Sequence, residues 1–382
     1  LKAFVTGSPS IDSTFTATGT PAAANASHSS IAVANSQIVA GTTHGTDVTV
    51  TIRDVYDNVV TSAAGAVVLS RTAGSLGSVT NNNNGTYSAR FTSQNLVAVS
   101  TITGTYAGAA IQSTTVTIVP DAPSKYLVTT DVTSLVAGDQ ITASAQLADQ
   151  YGNAISQSSR AVTWSSTNGG TFLNSQAVTS TNSSGIATVV YITNVRNNSA
   201  STLTATDVLD ISINGTSASF VTISGGAAHI EITSSATQSV IAGSNVASLP
   251  QVKVTDINGN VVAGKSVTFA ITSGGGSIST ATLTSGADGL VTLARWTSGT
   301  AAGANTLTAT ASGLPESPLT FTANGIAGAA DPAHITIEPD TSSLVVGATH
   351  NTTIRVVVRD QYSNILDNPT GTVVISADDV SV

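Results

Sequence analysis

RDVYDNVV (53–60), ADQYGNAI (148–155), TDINGNVV (255–262) and RDQYSNIL (359–366) are four renderings of one phrase. Its aspartate recurs at Asp54, Asp149, Asp256 and Asp360, spaced 95, 107 and 104 residues apart. An asparagine follows four positions later each time, at Asn58, Asn153, Asn260 and Asn364. A repeat of about 100 residues is long enough for one two-sheet β-sandwich with its own core.

The residues before the phrase alternate. In DVTVTIRD, Val48, Val50 and Ile52 fall on one side and Thr49, Thr51 and Arg53 on the other. Period-two alternation marks a strand with one wet face. The fourth copy, TTIRVVVRD, keeps Ile354, Val356 and Val358 in the same register. A second apolar run follows each copy: AVVLS, AVTWSS, SVTFAIT and TVVISA. The phrase is therefore a turn between two strands. Asp and Asn suit it because their side chains bond nearby backbone amides and tolerate left-handed φ, and Gly152 and Gly259 fit the same role.

Other landmarks keep the period. NNGTYSARFTS (83–93), SSGIATVVYIT (183–193) and ADGLVTLARWT (287–297) each set a polar-Gly turn before an alternating strand, with Gly85, Gly185 and Gly289 in step. STITGTYAG, STLTATDVL and NTLTATASG follow, and STTVTIVP, SASFVTIS and SPLTFTANG close the units. HSSIAV, SKYLVTT, AHIEIT and AHITIE open them. About seven short strands per unit point to a sandwich. The expected fold class is all-β, with tandem Ig-like antiparallel β-sandwiches in an extended array.

Composition agrees. Ser and Thr number 111 of 382 residues, and only 9% of residues are charged. Thr and Val favour extended backbone, and no helix longer than two turns is expected. Hydrophobic residues reach 41%, enough for cores, but aromatics are only 4%, so those cores are small and aliphatic. The net charge of −9, with 12 scattered Lys and Arg, argues against nucleic acid as a partner. No apolar run approaches the length of a membrane span. Cysteine is absent, which excludes disulfides, thiolate zinc sites and thiol nucleophiles.

The D-x-x-x-N turn, the GTYSARF-type strand and the T-[IL]-T-x-T strand resemble bacterial Ig-like repeats of the invasin/intimin type. NNNNGTYSARFTSQNLVAVSTITGTYAG (81–108) carries the likeness most clearly. The resemblance implies a surface adhesin, surface-layer or extracellular filament protein. It implies an extracellular or cell-surface location, and a spacer role where no lectin-like tip is present.

Joints of Pro and small residues (TPAAANAS, VPDAPS, SGGAAH, GIAGAADPAH) divide the chain. The expected division is 27–120, 121–224 and 225–326 as whole units, 1–26 as the C-terminal part of another and 327–382 as the first half of a further one. LKAFVTGSPSIDSTFTATGTP (1–21) matches LTATASGLPESPLTFTANGIA (307–327), the last two strands of a unit. Incomplete ends of neighbouring chains that complete one sandwich would be a route to self-association, because open strand edges recruit partners.

No catalytic, cofactor or metal residue emerges, and the expectation is a protein that is not an enzyme. DINGN (256–260) begins like an EF-hand loop, but Val261 and Val267 stand where Gly and Glu are needed. Calcium is the ion that the remaining carboxylates suit: Asp54 with Asp57, and Asp331, Glu338 and Asp340 near a joint. Solvated turn carboxylates are the simpler reading. His28, His44, His229, His334 and His350 offer no zinc spacing; His229 and His334 read as polar strand starts, with Lys125 as the counterpart. Trp164 and Trp296 read as packing residues rather than carbohydrate platforms. Tyr56, Tyr151 and Tyr362 recur inside the phrase, which marks a structural role. The favoured function is architectural, a rod, surface lattice or filament of serial sandwiches. The alternative is the stalk of a cell-surface adhesin that presents a host- or matrix-binding region.

Overall fold

A computed structural model describes residues 2–4, 12–14, 16–197, 199–343 and 351–376. Among them the chain is strands and turns, with two three-residue 3-10 turns, Leu173–Ser175 and Pro332–His334, as its helical elements. Among the described residues no helix is long and apolar enough to cross a membrane. The chain divides into two compact units. The first comprises Leu1–Thr133, Gln140–Ile192 and Ser201–Phe220; the second comprises Ser134–Asp139, Thr193–Ala200 and Val221–Val382.

In the first unit, Gly45–Asp54 lies between Ala24–Val33 and Thr86–Thr92, antiparallel to both. Ala98–Tyr106 lies between Val67–Arg71 and Ala109–Val119. The alternation dictates the packing: Val48, Val50 and Ile52 are buried, as are Tyr87, Ala89 and Phe91 on the next strand. They meet Ile102, Ile111, Val116 and Ile118 from the second layer in one aliphatic core. Further along the same unit, an eight-stranded sheet runs from Gly170–Phe172 through Ile186–Thr193, Gln140–Ala148, Lys125–Thr130, Asn214–Thr216, Leu203–Asp207 and Ala161–Ser166 to Val178–Ser180.

The second unit holds a three-stranded sheet (His229–Ile232, Gln251–Thr255, Leu290–Thr292) and a five-stranded one (Thr237–Ile241, Leu319–Ile326, Gly303–Thr310, Ser266–Ser273, Thr282–Thr284). Their inner faces enclose Ile230, Val252, Val254, Val267, Phe269, Trp296, Leu307 and Phe321. These are Ig-like sandwiches, and apart from the single parallel pairs Gln112↔Ser30 and Lys125↔Asn214 the ladders are antiparallel with one recurrent exception. Gln37–Val39, Ser134–Val136 and Thr237–Ile241 each run parallel to the closing strand of their repeat. The opening strand thus pairs first with one sheet and then with the other, which ties the two layers together.

Two expectations need correction. His334 does not start a strand: it ends the 3-10 turn Pro332–His334, and the strand begins at Thr336. Asp331 caps that turn by accepting from the Ala333 amide, and Pro332 cannot donate to a ladder. In TVVISA, residues 372–376 form no strand, and Val373, Val374 and Ile375 are exposed. No strand pairs with them among the described residues, so no ladder fixes their backbone. The alternation before the fourth phrase is also weaker than its sequence suggests, since Ile354 is exposed while Val357 and Val358 are buried. His350 lies outside the described residues.

Candidate functional site at the repeated turn

The four phrases build one structure. The aspartate amide donates to the asparagine carbonyl, and the residue before the asparagine donates back to the aspartate carbonyl. That residue takes positive φ in every copy: Asp57 65°, Gly152 89°, Gly259 81° and Ser363 70°. Left-handed backbone favours Gly, and short polar side chains tolerate it. The carboxylate folds over its own turn. In the second copy Asp149 Oδ1 accepts from the Tyr151 and Asn153 amides, both at 2.9 Å. Its Oδ2 accepts from Asn153 Nδ2 at 2.8 Å and from the Asp121 amide at 3.0 Å.

That last bond reaches out of the turn into the joint. The counterparts are Ala22 to Asp54 (2.8 Å), Gly225 to Asp256 (2.9 Å) and Gly328 to Asp360 (2.9 Å). Each aspartate therefore pins the chain that enters its own repeat. Each asparagine except the first reaches further back, to a loop of the preceding repeat. Asn153 Nδ2 donates to the Asn95 carbonyl at 2.7 Å, and the Val97 amide donates to Asn153 Oδ1 at 3.1 Å. Asn260 holds the Val195 carbonyl (2.7 Å) and the Asn197 amide (3.0 Å) in the same way. Asn364 holds the Thr300 carbonyl (2.8 Å) and the Ala302 amide (2.7 Å). In every case the carbonyl and the amide are two residues apart, so one side-chain amide satisfies a backbone acceptor and a backbone donor.

The aromatic position completes the contact. Tyr151 packs against the core of the preceding sandwich. A Cβ placed on Gly41 would lie 2.9 Å from its hydroxyl, and one on Gly243 would lie 2.8 Å from the Tyr362 ring. Gly41, Gly138 and Gly243 all have positive φ and occupy equivalent positions in VAG, VAG and IAG. The third copy carries Asn258 in place of Tyr, with Nδ2 3.5 Å from the Ala137 carbonyl.

The electrostatics follow from burial and donors. All four aspartates are buried. Burial alone would raise their pKa values; the N–H donors from the joint and the turn outweigh it. Asp54 and Asp360 fall from 3.8 to about 2, and Asp149 and Asp256 are also lowered. These carboxylates stay ionised with their lone pairs directed at N–H groups, so a cation there would have to displace donors. The other acidic residues do not converge. Asp57 pairs with His28, Asp331 with His334, and Glu338 with Arg355 and Arg359. No cluster of three or more His, Asp or Glu suited to a metal occurs among the described residues.

One more buried polar group stands out. Asp207 accepts from Arg160 Nε, from the Tyr126 hydroxyl (3.1 Å) and from the Leu209 and Asp210 amides. Burial first, and then Asp207, pushes the Tyr126 phenol up to about 12. With every member paired, it is a structural network of the second repeat. Trp164 and Trp296 are both buried, so neither offers a sugar platform.

Residues 25–121 match the family model "Invasin, domain 3". Among solved structures, FdeC, an Escherichia coli adhesin, is 21% identical, with 80% of this chain and all of that chain covered, at a TM-score of 0.50. Invasin, a bacterial integrin-binding protein, is 20% identical over 90% of this chain and 66% of its own, at 0.36. InvD of Yersinia pseudotuberculosis is 16% identical over 78% and 97%, at 0.38. No curated protein matches. The first repeat is thus an Ig-like sandwich of the invasin/intimin type, and the FdeC likeness extends that fold over most of the chain.

Proposed function

We propose that this chain is a spacer segment of a bacterial cell-surface adhesin. It would hold a host- or matrix-binding region away from the cell rather than carry out chemistry. The observation that carries the reading is the recurrence of the Asp–Asn turn at successive joints, where it fastens one sandwich to the next with backbone-directed bonds. Joints between domains of one chain are ordinarily mobile. A spacer works only if its joints resist bending, and a side-chain amide that pairs with both a carbonyl and an amide of the preceding loop, as at Asn153, Asn260 and Asn364, is a device for that.

The likeness of residues 25–121 to invasin domain 3 supports the adhesin context, and with it an extracellular or cell-surface location. The division into units 27–120, 121–224 and 225–326, flanked by part-units 1–26 and 327–382, is the accompanying domain proposal. The spacer reading calls for no calcium at the joints, since the turn carboxylates accept from N–H donors there.

A filament or lattice, including one built by strand complementation between chain ends, needs contacts between copies, and the clasps of Asn153, Asn260 and Asn364 are satisfied along a single chain. The test is sedimentation and electron microscopy of the purified chain, followed by display on a cell surface with and without a distal binding region. Monomers that bind cells only when that region is present are expected. Ordered polymers of the chain alone would replace the spacer by the filament, and binding of the bare chain to cells would place the ligand site within it.

A further inference from the structure

The first copy of the turn has everything its sisters have except a neighbour. Asp54 accepts from the Ala22, Tyr56 and Asn58 amides at 2.8–2.9 Å, and Asn58 Nδ2 lies 3.1 Å from Asp54 Oδ2. Yet Asn58 makes no bond to a preceding loop among the described residues and is exposed, whereas Asn153 and Asn260 are buried. Tyr56 is 76% exposed, against 42% for Tyr362 over Gly243.

We propose that this Tyr56–Asn58 face is a docking seat for the pole of another Ig-like sandwich, the one whose closing strand pair is Lys2–Phe4 and Asp12–Thr14. The inference rests on the clasp reading given above. The sister joints specify what the seat accepts: a positive-φ glycine under the Tyr56 ring, a free carbonyl for Asn58 Nδ2, and a free amide two residues on for Asn58 Oδ1. The source is the same polypeptide, for two reasons. The Ala22 amide already sits on Asp54, as the Gly328 amide sits on Asp360. The pairing Lys2↔Thr14 also repeats the register Thr308↔Thr320. One offset of 306 residues carries Lys2 to Thr308, Thr14 to Thr320, Ala22 to Gly328, Asp54 to Asp360, Tyr56 to Tyr362 and Asn58 to Asn364. The strand pair, the joint and the seat are therefore spaced as they are where the seat is filled.

The test joins residues 225–327 to Ala22 in place of residues 1–21, ahead of the rest of the chain, with the added copy labelled segmentally for amide NMR. The amide of its Ala302 is expected to exchange as slowly as that of the native Ala302, which Asn364 holds. Asn58→Ala should speed the added Ala302 by up to about tenfold, the scale of one net hydrogen bond, and leave the native one unchanged. An added Ala302 amide that exchanges like an open loop, while the added Val254 amide stays protected, would overturn the proposal. If the added Val254 is unprotected, that sandwich has not folded. The same measurement then moves to a fusion of residues 121–224 ahead of Ala22, read at the added Asn197 amide with Leu147 as the folding control. The native Ala302 amide in the same sample reports on the clasp itself, so loss of the seat and loss of the clasp are told apart.

Discussion

Asn58 and Asn153 occupy the same position of the same turn, yet they should respond differently to truncation. Asn153→Ala strands the Asn95 carbonyl and the Val97 amide at a part-buried contact. It should destabilise by about 1–3 kcal/mol, the cost of unpaired buried groups. Asn58→Ala removes an exposed side chain and should stay within about 1 kcal/mol. Urea unfolding of the two variants makes the comparison, and equal losses would deny the joint its role. The aspartates add a pH signature. Their folded pKa values lie below 3.8, so their contribution is complete above about pH 4 and is lost as pH falls toward 2. Acid unfolding should steepen in that window. Asp54→Asn should be less stable at neutral pH, because its amide meets the Ala22 N–H, and flatter below pH 4. An unchanged acid limb would show that Asp54 titrates as an exposed carboxyl does.

At the scale of the element, the glycine before each alternating strand shows how closely turns approach strands. A Cβ on Gly185 would overlap the Ile155 carbonyl, and φ there is 77°. Left-handed backbone costs a non-glycine residue about 1–2 kcal/mol before any overlap is counted. Gly185→Ala should therefore cost more than that, whereas Gly152→Ala, with φ of 89° but open space around it, should cost only the backbone part. Thermal melting separates the two. The tryptophans differ in kind as well. Trp164 Nε1 donates to Thr179 Oγ1 at 2.8 Å, while Trp296 Nε1 has no protein partner. Trp164→Phe should be the costlier substitution by about 1 kcal/mol, since it alone orphans an acceptor.

At the scale of the whole molecule, what was legible in the sequence was whatever depends on near neighbours. Alternation in DVTVTIRD located a strand and its buried face, and the Asp–Asn spacing located a turn, because both signals lie within ten residues. The joint was not legible from the turn. The loops that Asn153, Asn260 and Asn364 grip lie 58, 65 and 64 residues away, and they are held through backbone atoms that no side-chain pattern advertises. One sequence signal was available: the glycines of VAG, VAG and IAG keep the same period as the turn, and a glycine that recurs in step with a tyrosine marks a place where the two approach. His334 misled because its copy of the opening phrase carries Pro332, which turns the backbone before a strand can start.

The clasps make a prediction for the molecule that no single sandwich makes. In the triple variant Asn153→Ala, Asn260→Ala, Asn364→Ala the cores are untouched, since Phe91 and Phe269 pack inside their own repeats. The melting of each sandwich should therefore shift less than the joints do. What should change is the opening of the joints, and proteolysis of a transiently open segment follows the population of the open form. Cleavage within 119–124, 224–229 and 325–334 should speed by about tenfold for each 1.4 kcal/mol of clasp lost. The wild-type cleavage rate should be the same in calcium as in chelator, because no carboxylate of the clasp is free to take the ion. Faster cleavage in chelator alone would mean that a cation, and not the asparagine, fastens the joints. Unchanged cleavage in the triple variant would mean that the tyrosine–glycine contacts suffice without the bonds.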